Sequence, residues 1–145
     1  MAYLPDGTPS PQPGPDDRPF WDACARRELR IQRCSDCGRF RHPPMPRCPS
    51  CRSDAIEWAE VPGTGSVYSY TIVRHPVHPA LVDAVPYNVV VVMLDGADDV
   101  RLVSNLLDVA PEDVAIGMRV ALAWDDTPAG PLPRFRRAAP TEGAR

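Results

Sequence analysis

The chain has 145 residues, 43% of them hydrophobic and 24% charged, with a net charge of −3, which fits one compact domain or two very small ones. All sixteen basic residues are arginine. The lack of lysine excludes a lysine Schiff base and a P-loop with its phosphate-binding lysine.

Residues 1–17 carry prolines 5, 9, 11, 13 and 15 among small and polar residues. Proline supplies no amide donor and little apolar surface, so a disordered, solvated tail is expected. A helix is expected to open near Asp16–Pro19. Aspartates suit its positive N-terminal end, and proline fits its first turn. Phe20 and Cys24 then follow at helical spacing with Trp21 beside them. Phe20 and Trp21 are candidates for docking on the domain or for meeting another protein. A short extended run, Leu29-Arg-Ile-Gln-Arg33, leads into the first cysteine, so residues 18–33 read as helix plus lead-in strand.

Cys34-Ser-Asp-Cys37 and Cys48-Pro-Ser-Cys51 are separated by ten residues, and an arginine precedes each pair. A Cys-x-x-Cys turn directs two thiolates at one point, and two facing turns complete a tetrahedron with Zn–S of about 2.3 Å. Four thiolates leave no position for water, so the metal is structural. Iron in a rubredoxin-like site is the competing metal. The N-terminus lacks a basic start and an apolar stretch, and the longest apolar run, Val89–Leu94, is too short to span a bilayer. A soluble chain in a reducing cytosol is expected, where clustered cysteines read as metal ligands rather than disulfides. Cys24 reads as a small buried residue. Residues 34–55 are thus the expected zinc ribbon. Residues 26–52 carry eight arginines against Glu28 and Asp36, a segment of +6 in a remainder of −9. An anionic partner, nucleic acid or a phosphate-bearing cofactor, is compatible with that patch.

Beyond the ribbon the pattern is β. Ile56–Val61 reads as a strand and Pro62–Gly65 as a turn. Along residues 66–74, Tyr68, Tyr70 and Ile72 are expected on one face and Val67, Ser69, Thr71 and Val73 on the other. Tyr87–Leu94 reads as a buried strand ending in the acidic turn Asp95–Asp99. Further strands are expected at Arg101–Leu107, Arg119–Trp124 and Arg134–Arg137, with a tail over 138–145. Several short strands without long helices between them argue for a small barrel of the oligonucleotide/oligosaccharide-binding (OB) kind over residues 56–137. The fold class is therefore mainly β: an N-terminal helix, a rubredoxin-like zinc ribbon and a five-stranded OB barrel.

No catalytic motif of the Gly-x-Ser-x-Gly, His-Glu-x-x-His or Gly-x-Gly-x-x-Gly kind is present. His75 and His78 lie in a loop, and the paired aspartates sit in predicted turns. By itself the chain reads as a binding or assembly module rather than an autonomous enzyme.

The order of segments resembles a thiolase-associated family of OB-fold proteins with a rubredoxin-like zinc ribbon, the domain of unknown function numbered thirty-five. The likeness runs over residues 18–137. It rests on Pro19-Phe-Trp21, Leu29-Arg-Ile-Gln-Arg-Cys-Ser-Asp-Cys-Gly38, Pro46-Arg-Cys-Pro-Ser-Cys51 and Gly63-Thr-Gly-Ser-Val-Tyr-Ser-Tyr-Thr-Ile-Val-Arg74, with Ile116-Gly-Met-Arg-Val120 and Leu132-Pro-Arg-Phe135. The resemblance implies a hetero-oligomer with a thiolase-fold enzyme. That enzyme would be an acyl-CoA thiolase or a lipid-transfer-protein-like aldolase that cleaves steroid side-chain acyl-CoA esters. It places catalysis on the partner and implies that this chain stabilises the complex and helps hold coenzyme A. Arginine forks suit the phosphates of coenzyme A, and Arg39, Arg41, Arg47 and Arg74 are the candidates. The alternative is a single-stranded nucleic-acid-binding protein, for which the acidic overall charge and ten aromatic residues are poor support.

Overall fold

A computed structural model describes residues 2–139. The first helix, α1, spans Arg18–Ala25, with Pro19 in its first turn as its fixed φ favours. Asp17 does not cap it in the usual way. Its carboxylate accepts the Gly14 amide at 2.6 Å and the Trp21 indole N–H at 3.1 Å. The helix ends with Arg27 in the left-handed region (φ 59°). The Glu28 amide reaches back to the Ala23 carbonyl and the Arg27 amide to that of Cys24, which satisfies the last turn.

Strands β1 (Arg30–Cys34), β2 (Phe40–Arg41) and β3 (Ile56–Glu60) form an antiparallel sheet in the order β2-β1-β3. The ladder from Arg30↔Glu60 to Cys34↔Ile56 ties residues 56–60, counted with the barrel in the sequence reading, to the ribbon.

The second sheet holds β4 (Thr64–Val73), β5 (Tyr87–Leu94), β6 (Arg101–Ser104), β7 (Arg119–Thr127) and β8 (Gly130–Arg137), in the order β6-β5-β4-β7-β8. The sheet curls until its two edges meet. The Leu107 amide donates to the Phe135 carbonyl at 2.8 Å, and the Phe135 amide to that of Asn105 at 3.1 Å. The result is an OB-like half-barrel. At the entry to β4, Gly65 lies so close to β5 that a Cβ there would stand 2.3 Å from the Met93 carbonyl oxygen, so only glycine fits.

The expected alternation along β4 is corrected by a bulge. Val67 pairs with Val92, but Ser69 pairs with Val91, so Tyr68 is an extra residue on the β4 side. Val67 is buried beneath the sheet, whereas Tyr68, Ser69, Tyr70 and Thr71 are all exposed. One inserted residue breaks the period of two, so Val67 and Ser69 do not share a face.

One apolar core runs through the whole molecule. Phe20 and Cys24 of α1 and Leu29 and Ile31 of the lead-in pack with Val67, Val90, Val92, Leu106, Val120 and Phe135 of the half-barrel. Burial pushes the Cys24 thiol up to about 12, so it is inert, as a core cysteine should be. The ribbon is also bolted on by polar contacts. Asp98, in the acidic turn after β5, accepts the Phe40 amide at 2.9 Å, and Asp95 accepts Thr64 Oγ1 and Arg119. That turn owes its acidity to structure.

Residues 2–17 do not run free as their proline content led us to expect. The Tyr3 amide donates to both carboxylate oxygens of Asp125 at 3.2 Å, and Tyr3 Oη accepts from the Asn88 amide and Asn88 Nδ2. Of the tail expected over 138–145, residues 140–145 lie outside the described residues. No helix among the described residues is long and apolar enough to cross a membrane.

Candidate metal centre and the residues around it

The two Cys-x-x-Cys segments are superimposable turns in their hydrogen bonding. In the first, the Cys34 amide donates to the Arg39 carbonyl and the Gly38 amide to the Cys34 carbonyl. In the second, the Cys48 amide donates to Ser53 and the Arg52 amide to Cys48. Each turn needs a left-handed residue four places after its first cysteine: Gly38 (φ 77°) in one, Arg52 (φ 64°) in the other. Gly38 is the residue type such a turn favours, whereas Arg52 adopts the same backbone with a side chain, and its place follows from the internal repeat.

These turns bring Cys34 Sγ to 3.5 Å from Cys51 Sγ, and Cys37 Sγ to 3.5 Å from Cys48 Sγ. All four sulfurs lie within 4.8 Å of one another. A regular tetrahedron with Zn–S of about 2.3 Å has edges of about 3.8 Å, so the cage is the right size. Backbone amides also prepare the first thiolate of each turn. The Cys37 amide is the main cause holding Cys34 below the usual thiol range. The Cys51 amide does the same for Cys48, held down to about 6. The donor set is four soft thiolates with no fifth ligand, a closed shell that fits structural zinc. Among the described residues it is the one cluster of at least three His, Cys, Asp or Glu side chains with ligand atoms this close.

The four candidate phosphate contacts separate. Arg39 and Arg47 are exposed on the ribbon, held by Ser50 Oγ and the Arg52 carbonyl respectively. Arg74 is exposed just past the far end of β4, and a ten-residue strand runs about 30 Å. Arg41 must be withdrawn as a solvent-facing contact, being only 5% exposed. It donates to the Met45 carbonyl while its Nε and Nη1 lie buried without partners. The flanking ladder of β1 turns it inward beside Gln32, its cross-strand partner.

The aromatic pair on α1 also divides. Phe20 is 2% exposed and belongs to the core, so it offers no surface to a partner; Trp21 packs edge-on against it and is partly exposed. Their adjacency in sequence puts them about 100° apart around the helix, enough to send one inward and leave the other at the edge. His78 Nδ1 accepts the Ala80 amide and caps a short 3-10 turn, a structural role.

Comparison with known proteins follows this division of the chain. Residues 21–57 match the family described as "ChsH2, rubredoxin-like zinc ribbon domain", and residues 58–125 match "ChsH2, C-terminal OB-fold domain". The chain is 45% identical over 128 residues to a "Probable enoyl-CoA hydratase alpha subunit" of Thermomonospora curvata, covering 87% of this chain and 39% of that protein. It is 36% identical over 124 residues to the "3-oxo-4,17-pregnadiene-20-carboxyl-CoA hydratase alpha subunit" of Mycobacterium tuberculosis, covering 86% of this chain and 38% of that protein. The chain thus spans about two fifths of the length of these relatives. Among solved structures it is similar to a chain of the "Ltp2-ChsH2(DUF35) aldolase", with 43% identity and a TM-score of 0.81, covering 90% of this chain and all of that one.

Proposed function

The chain belongs to the ChsH2 (DUF35) family, a rubredoxin-like zinc ribbon followed by an OB-fold, and from that premise we propose that it is a non-catalytic accessory subunit of an acyl-CoA-processing enzyme. The partner is a thiolase-fold or lipid-transfer-protein-like enzyme, and the reaction is thiolysis or retro-aldol cleavage of an acyl-CoA ester. The observation that carries this reading is the match along the whole of a chain from an aldolase complex. The chemistry of the chain agrees with it. The sulfur cage is closed, the core cysteine is inert, and the partly exposed Trp21 stands at the rim of α1 as an anchor for a partner. The zinc holds the ribbon's two turns together and keeps Arg39 and Arg47 on its surface.

The test is purification of the tagged chain from its native cell, with mass spectrometry on what accompanies it. A thiolase-fold protein in stoichiometric amount is expected. Recovery of the chain alone, or with nucleic acid, would remove the proposal while leaving the metal centre standing.

Within such a complex, Arg39 and Arg47 are the proposed contacts to the phosphates of coenzyme A, supported by their exposure and fork geometry. Charge-assisted contacts to an exposed phosphate contribute about 1–2 kcal/mol together. The double change Arg39→Ala/Arg47→Ala is therefore expected to raise KM for the CoA ester about tenfold, with kcat within about twofold. An unchanged KM would place the phosphates elsewhere.

A further inference from the structure

The proline-rich residues 4–15 bridge a gap rather than lie flat on the barrel. Apart from one turn, in which Thr8 donates its amide and its hydroxyl to the Pro5 carbonyl, the prolines hold the segment's backbone out of regular structure. Its two ends are fixed. Tyr3 is clipped to Asp125 and Asn88, and Gly14 is held by Asp17 at the start of α1. Between them lies a cleft of about 890 Å³, walled by this strap, α1, His42, β6 and the β7–β8 hairpin. That volume falls within the range of small-molecule sites, about 300–1,000 Å³.

The walls state what kind of ligand fits. Most of the lining is apolar, offered by Leu4, Val103, Leu132 and the strap prolines, with Phe20 and Leu102 buried behind them. The carboxylates that are tied to the fold are already satisfied: Asp125 by the Tyr3 amide and by Arg134 at 3.4 Å, Asp17 by the Gly14 amide and the Trp21 indole. Asp6 and Asp16 lie exposed at the rim, where water solvates them. Arg101 has no carboxylate partner among the described residues; its guanidinium rests on the Tyr68 ring, 4.0 Å from the centroid. His42 Nδ1, in the same wall, is buried without a hydrogen-bond partner. We propose that this cleft is a binding site for a small amphiphilic anion. Its carboxylate pairs with Arg101, and its aliphatic or flat apolar body lies beneath the proline strap. None of the four cysteines, Arg39 or Arg47 lines this cleft, although His42 reaches it from the ribbon.

The experiment uses the zinc-loaded full chain without a partner and 8-anilinonaphthalene-1-sulfonate as a fluorescent reporter. Saturable binding at one site per chain is expected. Octanoate and decanoate should displace the dye, with decanoate about fifteenfold tighter, because each buried methylene adds about fourfold. Arg101→Gln should weaken decanoate at least about tenfold, the loss of a charge-assisted contact. It should leave the affinity for 1-decanol unchanged. Val103→Trp, at a residue 68% exposed in the cleft wall, should narrow the cleft and weaken decanoate and 1-decanol alike. Near-UV circular dichroism and zinc content identical to wild type establish that each variant is folded. The proposal is overturned by non-saturable dye binding to the wild type, by decanoate affinity that is indifferent to Arg101→Gln, or by unaltered binding in folded Val103→Trp.

Discussion

Cys34→Ser is expected to release the zinc and unfold the ribbon while the half-barrel persists. The reason lies in what residues 34–55 bury. Only Cys34, Arg41 and Cys48 in that stretch are buried, two of them metal ligands and the third a cation with two unpartnered donors. There is no apolar core to hold twenty-odd residues once the thiolate cage is broken. A serine hydroxyl is not ionised at neutral pH and cannot replace the thiolate. In small zinc modules, metal binding contributes about 10–16 kcal/mol and is in effect the folding free energy. Metal analysis should therefore fall from one zinc per chain to near zero, and amide exchange should become fast across residues 34–55. Protection should survive in part at Leu29 and Ile31, because both belong to the core shared with the barrel. A variant that keeps stoichiometric zinc, or that keeps wild-type exchange protection in the ribbon, would refute this account.

The shared core also explains why ribbon and barrel behave as neighbours rather than independent beads. Ile31 is buried among barrel residues, and Asp98 of the β5–β6 turn accepts the Phe40 amide of the ribbon. Arg39 and Arg47 thus stand on a mount fixed relative to the barrel. Positioning of that kind is what the proposed role of accessory subunit requires.

The four clustered cysteines and most strands were legible in the sequence because their signals are local. Two Cys-x-x-Cys turns, the apolar run Tyr87–Leu94 and the Asp16–Pro19 helix start each need only a few adjacent residues. What stayed hidden depends on distant pairings. The strap over residues 4–15 is ordered by Tyr3, which binds Asn88 and Asp125, residues 85 and 122 positions away. Its own composition argues for disorder. The Tyr68 bulge is visible only once β4 is paired with β5, since the segment by itself alternates. Arg41 shows the same lesson for function. Its charge and place in a basic segment resemble those of Arg39 and Arg47, yet pairing with Gln32 of β1 turns it into the interior.

Phe135→Ala should cost about 3–5 kcal/mol, the usual range for truncating a fully enclosed aromatic ring. Phe135 is 0% exposed and lies on β8 where the end of β6 comes round to meet it. Its backbone makes the closing hydrogen bonds to Asn105 and Leu107, and these survive the change. The lost energy is therefore packing: the ring's contacts vanish, and the cavity left behind is held open by a backbone that remains tied on both sides. Domains of this size have net stabilities of about 5–15 kcal/mol, so the variant should remain folded but with a much lower denaturation midpoint in guanidinium chloride and an unchanged slope. Val103→Ala, at an exposed position on β6, should move the midpoint by less than about 0.5 kcal/mol equivalent. Zinc content should stay at one per chain in both, because the thiolate cage is built from local turns. A loss under about 1.5 kcal/mol for Phe135→Ala would mean that the sheet closes around the smaller side chain. The half-barrel would then be held shut by its seam of hydrogen bonds rather than by the ring beneath it.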